Sequence, residues 1–275
     1  MYLVVLLASW ALTMQGVAAW HYQLDTPALL GHLALREGRS VLWSIPVEFT
    51  FYLWLPLIAL ALAWVQTRQW PAWLEALAAI CALGAAMLAW PPASTLVNDV
   101  RLGPYLVLFL CGAFAARLEH WLRPSDGRGH AVRAWGAVGL LALLGCVVAV
   151  PSVWAAVTSA PFNPAVSQHW FLFFGVAWSL LLLAVLHGPT WLRAPFASAP
   201  ARVVGVTSFS AYLWHMPVLD GLRAAGLPPG PAAAVLVVAA VLVVAVLSYL
   251  LFERPWREVR PAPREAGGIG PQGRP

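Results

Sequence analysis

Charge is the scarcest commodity in this sequence. Of its 275 residues 10% are charged and 61% are apolar, with a mean hydropathy of +0.76, and no soluble globular domain is composed this way. Lysine is missing altogether: all sixteen cations are arginines, set against eleven acids for a net charge of +5. In so apolar a chain this excess reports the sidedness of helices before it reports an anionic partner, and nucleic acid is not an expected ligand. Cysteine is nearly absent. Cys81, Cys111 and Cys146 each sit in an apolar run with no Cys or His at ligand spacing, so neither a disulfide framework nor a metal site is expected. Alternation of polar and apolar residues is missing too. Residues 235–251 are apolar on every face, which excludes the strands of a transmembrane barrel.

What the chain does have is apolar runs of about twenty residues, each long enough to cross roughly 30 Å of hydrocarbon. The expected fold is therefore all-α, a polytopic transmembrane helix bundle with about eight spans. These are placed near Tyr2–Trp20, Ile45–Gln66, Pro71–Trp90, Gly103–His120, Val132–Val150, Trp170–His187, Val206–Leu222 and Ala232–Phe252. An even number puts both termini on one side. If that side is cytoplasmic, twelve of the sixteen arginines are cytoplasmic and only Arg36, Arg39, Arg101 and Arg223 lie outside, as the positive-inside rule requires. The expected organisation is one transmembrane domain over 1–258 followed by a disordered cytoplasmic tail over 259–275, a Pro, Gly and Arg stretch with almost nothing to bury.

No basic leader precedes the first run, and Trp10, Gln15 and Trp20 interrupt it, so a cleaved signal peptide is not expected. Between the first two spans, Asp25 or Thr26 can cap a short surface helix begun by Pro27 and stopped near Gly38. Ala28, His32 and Arg36 share one face of it, and Leu29, Leu30 and Leu33 another.

An acid inside a bilayer is costly, about 2.5–3.5 kcal/mol at mid-depth by insertion scales, so such acids mark where function concentrates. Glu48 lies about a turn into the second span, and Ser44, Glu48 and Tyr52 form one polar stripe at i, i+4, i+8. In the seventh span, Ser208, Tyr212 and His215 lie close to one face beside Pro217, which removes a backbone donor. A histidine there suits proton transfer, since its unperturbed pKa of about 6.5 allows either charge state near neutrality. Arg117, Arg123, Arg128 and Arg133 could hold a phosphorylated ligand, although topology already demands arginines there. Glu253-Arg254-Pro255 closes the last span, where it suits an anchoring role.

Three segments carry a family resemblance: Trp43-Ser-Ile-Pro-Val-Glu-Phe-Thr-Phe-Tyr52, Ser208-Phe-Ser-Ala-Tyr-Leu-Trp-His-Met-Pro217 and Phe252-Glu-Arg-Pro255. In this order and at these intervals they resemble the signatures of the acyltransferase-3 family of multi-pass membrane O-acyltransferases, over roughly Met1 to Arg257. Pro46 stands where the family usually has a small residue and Thr50 where it often has Gln. The resemblance implies an enzyme that moves an acyl group, commonly acetyl, from cytoplasmic acyl-CoA to a hydroxyl of a carbohydrate or related small-molecule acceptor at the outer face of the cell membrane. It implies Glu48 and His215 as catalytic residues, with Trp43, Ser44, Tyr52, His32 and Tyr212 towards the acceptor. Arg117 and Arg123 fall to the acyl-CoA donor. Family members commonly have ten helices, the first bearing an Arg followed about ten residues later by a catalytic His. No equivalent stands in these 275 residues, so the expectation is a chain lacking that first pair, whose activity in this form is open.

The alternative from another class is a proton-coupled transporter or flippase-like carrier with Glu48 and His215 relaying protons. No internal repeat of the spans supports it. A catalytically dead interaction partner is the third reading. Acceptor identity, acyl chain and oligomeric state are not legible. The sidedness is testable: reporter fusions at Gly129 and Gly268 should both read cytoplasmic, and an outer-side signal from either breaks the topology.

Overall fold

A computed structural model describes residues 1–91, 96, 98–122, 129–163 and 166–255. Arg123 and the tail expected over 259–275 lie outside the described residues. Among the described residues the structure is all helix, without strands, as expected. Two compact units divide it: Met1–Thr26 with Val204–Pro275, and Pro27–Val203.

The larger unit begins at the surface helix α2 (Thr26–Leu33) and a 3-10 turn, Ser40–Trp43. Then come α3 (Ser44–Thr67), α4 (Ala72–Ala89), α5 (Leu106–Leu122), α6 (Gly129–Val148), two short helices α7 (Pro151–Thr158) and α8 (Val166–His169), α9 (Phe171–His187) and α10 (Thr190–Ala197). The central column is α9, which packs on α6 and α5, while α5 in turn meets α3 and α4. Helices in lipid gain no hydrophobic drive from meeting one another, so they associate where small residues let backbones approach. Gly136, Gly139, Ala142 and Cys146 are the buried face of α6, and Ala177, Leu181 and Ala184 that of α9. On the other side of α9, a Cβ added at Gly175 would sit 2.9 Å from the Cys111 Sγ. Two of the three cysteines are thus small packing residues.

The smaller unit is formed by α1 (Tyr2–Met14), most of α11 (Ala199–Ala224), α12 (Pro231–Ser248) and a π-helical turn, Tyr249–Glu253. The expected first span over 2–20 is shorter than predicted. Thirteen helical residues reach only about 20 Å at 1.5 Å per residue. The chain then turns through Gly16, whose φ of +72° favours glycine, and folds back on the helix it has just left. The Thr13 hydroxyl donates to Ser9 O (2.8 Å) and accepts Leu24 N–H (2.9 Å), and Trp20 Nε1 donates to the Ser9 hydroxyl (2.9 Å). These polar groups outbid the apolar run.

Of the eight expected spans, α3, α4, α5, α6 and α12 with its π turn are long and apolar enough to cross a membrane. A sixth passes only if α9 and α10 count together, although they bend by 101° at their break, where Gly188 and Pro189 interrupt the helix. The seventh, on α11, is long but not among these spans. Multi-pass insertion therefore stands, while the number eight does not gain support.

Pro217 has no N–H to donate to Leu213 O, the carbonyl one turn earlier. The structure fills that vacancy from elsewhere: the Tyr22 hydroxyl donates to Leu213 O at 2.9 Å, with Tyr22 and Leu213 both essentially fully buried. Burial pushes the Tyr22 phenol well above its ordinary pKa, so it remains a donor at any physiological pH. Hence Tyr22→Phe should destabilise the protein by about 1–3 kcal/mol, the cost of an orphaned buried acceptor. In a Pro217→Ala background, where an N–H returns to the helix, most of that penalty should vanish in denaturation measurements. At the helix interface, Gly175→Val should cost about 1–3 kcal/mol through overpacking, and Cys111→Ala should relieve part of it in the same assay.

Candidate functional site

In the larger unit the polar stripe is built as the periodicity dictates. Ile45, Pro46, Val47 and Phe51 are the buried residues of α3, and Phe51 stacks on Phe109 of α5 with ring centroids 4.2 Å apart. One helical face is thereby committed to packing. Ser44 and Glu48 are half-buried at its edge, and Tyr52 is 55% exposed. Within its unit, among the described residues, no hydrogen bond or ion pair engages the Glu48 carboxylate. Trp43 stacks on Tyr105 at 4.7 Å, which fixes the indole at the entrance to α3. Trp43, Ser44, Glu48 and Tyr52 are thus held on one short stretch by aromatic packing against α5 and the turn before it.

His32 has a different setting. The surface helix ends at Leu33, earlier than the expected stop near Gly38, because Leu35 takes a left-handed φ of +56° and Ser40 one of +49°. That bend brings the chain back over the helix, so that Arg39 N–H donates to His32 Nε2 (3.0 Å) while His32 Nδ1 donates to Ala28 O (2.8 Å). A Cβ at Gly38 would collide with the Trp43 backbone, so only glycine fits that approach. His32 is fully buried, and burial pulls its pKa down, with the Ala28 hydrogen bond opposing. Both ring nitrogens are spent on the loop. The geometry of His32 is that of a loop fastener leading into Trp43.

Arg117 is likewise engaged. Its Nε and a terminal nitrogen reach the two oxygens of Glu75 at 3.0 and 2.9 Å, a bidentate pair between α5 and α4 with both side chains largely buried. The guanidinium also lies over the Trp121 ring at 5.3 Å. Sequence reasoning weighed Arg117 and passed over Glu75, an acid in the first turn of its span. The pair borders a cavity of about 570 Å³ whose walls include Leu62, Trp70, Phe114 and Trp121. Among the described residues no group of three or more His, Cys, Asp or Glu side chains could hold a metal ion.

In the smaller unit, His215 Nδ1 lies 2.6 Å from Tyr212 O and donates to it, leaving Nε2 as the acceptor nitrogen of the neutral ring. Tyr212 and His215 are both half-buried, with ring centroids 5.8 Å apart. Leu213 O, left without its helical donor by Pro217, is taken by Tyr22, while His215 bonds Tyr212 O. The second and third motif segments meet here: the buried Ser210 hydroxyl donates to Glu253 Oε1, and Trp214 Nε1 donates to the Ser248 hydroxyl at 3.0 Å. The anchoring expected of Glu253-Arg254-Pro255 rested on its arginine; what the structure adds is that Glu253, in a π-helical turn, accepts from Ser210.

Sequence reasoning missed one pair entirely. His21 and Asp220, 199 residues apart, meet with Nδ1 to Oδ2 at 2.6 Å. Residues 199 apart share no helical or strand spacing, so the sequence offered no signal for the pair.

The comparisons with known proteins agree with this geometry at the level of family. The family described as "Acyltransferase domain" matches residues 1–252, taking in the first two motif segments and only Phe252 of the third. A curated relative, the peptidoglycan O-acetyltransferase OatA of Listeria monocytogenes, is 24% identical over 255 residues, which is 88% of this chain and 39% of that protein. The chain therefore spans well under half of that relative's length. No solved structure matches it. With the family match covering nearly the whole described chain, and with the Trp43–Tyr52 stripe and the His215 helix inside it, the protein belongs to the acyltransferase-3 family.

Proposed function

We propose that this protein is a multi-pass O-acyltransferase of the cell membrane that moves an acyl group, acetyl in the first instance, from acyl-CoA to a hydroxyl of a cell-surface carbohydrate. The observation that carries this reading is the family match over residues 1–252, within which Glu48 stands about one turn into the largely apolar α3. The relative's name, a peptidoglycan O-acetyltransferase, supports acetyl as the group and a carbohydrate as the acceptor class. The arginine distribution supports cytoplasmic termini, so that acyl-CoA enters from the side of the loop after α5.

O-acyl transfer needs a base for the acceptor hydroxyl, charge balance when that base is protonated, and a route for the donor. In the larger unit Glu48 is the carboxylate offered to this chemistry. His215, its Nδ1 committed to Tyr212 O, carries protons through Nε2. Trp43 and Tyr52 offer aromatic faces to sugar rings, with Ser44 beside them in the same unit; His32, buried with both nitrogens spent inside its loop, is withdrawn from the acceptor side. On the donor side Arg117 is already neutralised by Glu75, so Arg123 is the better ligand for phosphate. The 570 Å³ cavity beside the ion pair has the size of a small-molecule site, ordinarily about 300–1,000 Å³, which suits the apolar end of the donor.

The test is transfer of labelled acetyl from acetyl-CoA to a cell-wall carbohydrate by membranes carrying the protein, read as alkali-labile ester. Glu48→Gln should lower the rate at least about tenfold, roughly 1.4 kcal/mol of transition-state stabilisation. Undiminished activity in that variant removes Glu48 from the mechanism.

A further inference from the structure

Aromatic contacts gather four helix ends of the larger unit into one place. Trp43 before α3 stacks on Tyr105 before α5 at 4.7 Å, Tyr105 meets Phe171 at the start of α9 at 5.4 Å, and a Cβ on Gly145 near the end of α6 would sit 2.9 Å from the Phe173 ring. The row therefore starts at the polar stripe of α3 and ends at α6 and α9. There it borders a cavity of about 260 Å³ to which no role has been given, walled by Trp154, Trp170 and Phe173 together with Gly145 and Ala149.

The sequence builds this cavity in short steps. Pro151 occupies the first position of α7, where a missing N–H costs nothing. No residue of α7 is buried, and Ser159, at a left-handed φ of +54°, ends it and turns the chain back. The bare Gly145 lets the Phe173 ring lie against α6. Trp154 and Trp170 then face a common space, with centroids 6.1 Å apart and planes inclined at 50°, and Phe173 braces Trp170 edge-on at 5.9 Å. Both indoles stay about two-fifths exposed. Tryptophans that only anchor a helix at the membrane surface have no need to converge around a shared cavity.

The lining also limits the ligand. None of its residues is charged, so it offers nothing to the phosphates of a nucleotide donor. Its volume falls just below the roughly 300–1,000 Å³ of drug-sized sites, which suits one ring and not several. A pyranose is such a ring: its C–H faces stack on indole, while the hydroxyls around its edge remain in water. The end of α6 is also the outer end in the arginine-based topology, the side of the acceptor.

We propose that this cavity is a second saccharide subsite, holding a neutral sugar ring of a glycan whose acylated ring lies at the Trp43–Tyr52 stripe. The inference rests on the acyl-transfer reading above and adds to it that the acceptor is an oligomer.

The experiment uses the full chain in lipid nanodiscs, without acyl-CoA, and measures binding of β-1,4-linked N-acetylglucosamine from monomer to tetramer by saturation-transfer NMR, with thermal unfolding recorded for each variant. The wild type should bind the tetramer more tightly than the monomer. Trp154→Ala removes a wall and Ala149→Leu fills the space, so each should cost at least about tenfold in tetramer affinity, as loss of an aromatic anchor does, and should abolish the advantage of the tetramer. Trp154→Phe keeps a stacking face and should retain most of it. In the acetyl-transfer assay the same loss should appear in KM for the tetramer, not in kcat. A folded Trp154→Ala protein that keeps the tetramer advantage overturns the subsite. So does a wild type that binds monomer and tetramer alike or binds neither, the result expected if the cavity holds a lipid chain. A wild type that prefers the tetramer through Trp154 yet acylates no sugar keeps the subsite and overturns the acyl-transfer reading.

Discussion

The governing constraint is that the interior of a helix bundle, like the hydrocarbon around it, offers no water to a polar group, so each buried backbone or side-chain donor and acceptor needs a partner from the chain. Leu213 O shows how far the fold goes to meet it. Pro217 removes the expected donor, and a tyrosine from 191 residues away supplies another at 2.9 Å. The same rule shortens α1, where Ser9, Thr13 and Trp20 satisfy one another and the returning chain. It also pairs Arg117 with Glu75, because either charge alone inside the bundle would be strongly unfavourable.

Where polar groups are absent, close approach takes over as the organising force. Gly139 and Ala142 on α6, with Ala177 and Ala184 on α9, are too small to hold two helices apart, and Cys111 fills the space that Gly175 leaves. That column steadies α5, and α5 in turn steadies α3 through Phe109 on Phe51 and, from the turn before it, Tyr105 on Trp43. Glu48 stands at the edge of the packed face of α3, half-buried, with Tyr52 exposed beyond it. Packing and site are thus consequences of one helical period.

The histidines divide by the same accounting. A ring whose two nitrogens are both consumed, as in His32, locks a loop. A ring with one nitrogen on a carbonyl of its own helix, as in His215, has that nitrogen fixed as a donor. His21 has its Nδ1 against the Asp220 carboxylate. Residue type alone does not separate these three; the partner of each nitrogen does.

The sequence by itself determined the all-helical membrane bundle, because composition and run length leave no other way to satisfy a backbone in lipid. It determined the stripe Ser44, Glu48, Tyr52, because positions four apart share a helical face whatever the tertiary context. The family was legible in three short segments that match at fixed intervals. Only the tertiary structure decided which polar residues were already spoken for: Arg117 by Glu75, both nitrogens of His32 by Ala28 O and Arg39 N–H, and Glu253 by Ser210. It alone brought His21 to Asp220 and Tyr22 to Leu213 O, contacts that span 199 and 191 residues. The physical reason is the same in each case. Periodicity is local and can be read along the chain, whereas a hydrogen-bond partner is chosen by proximity in space, which no spacing in the sequence encodes.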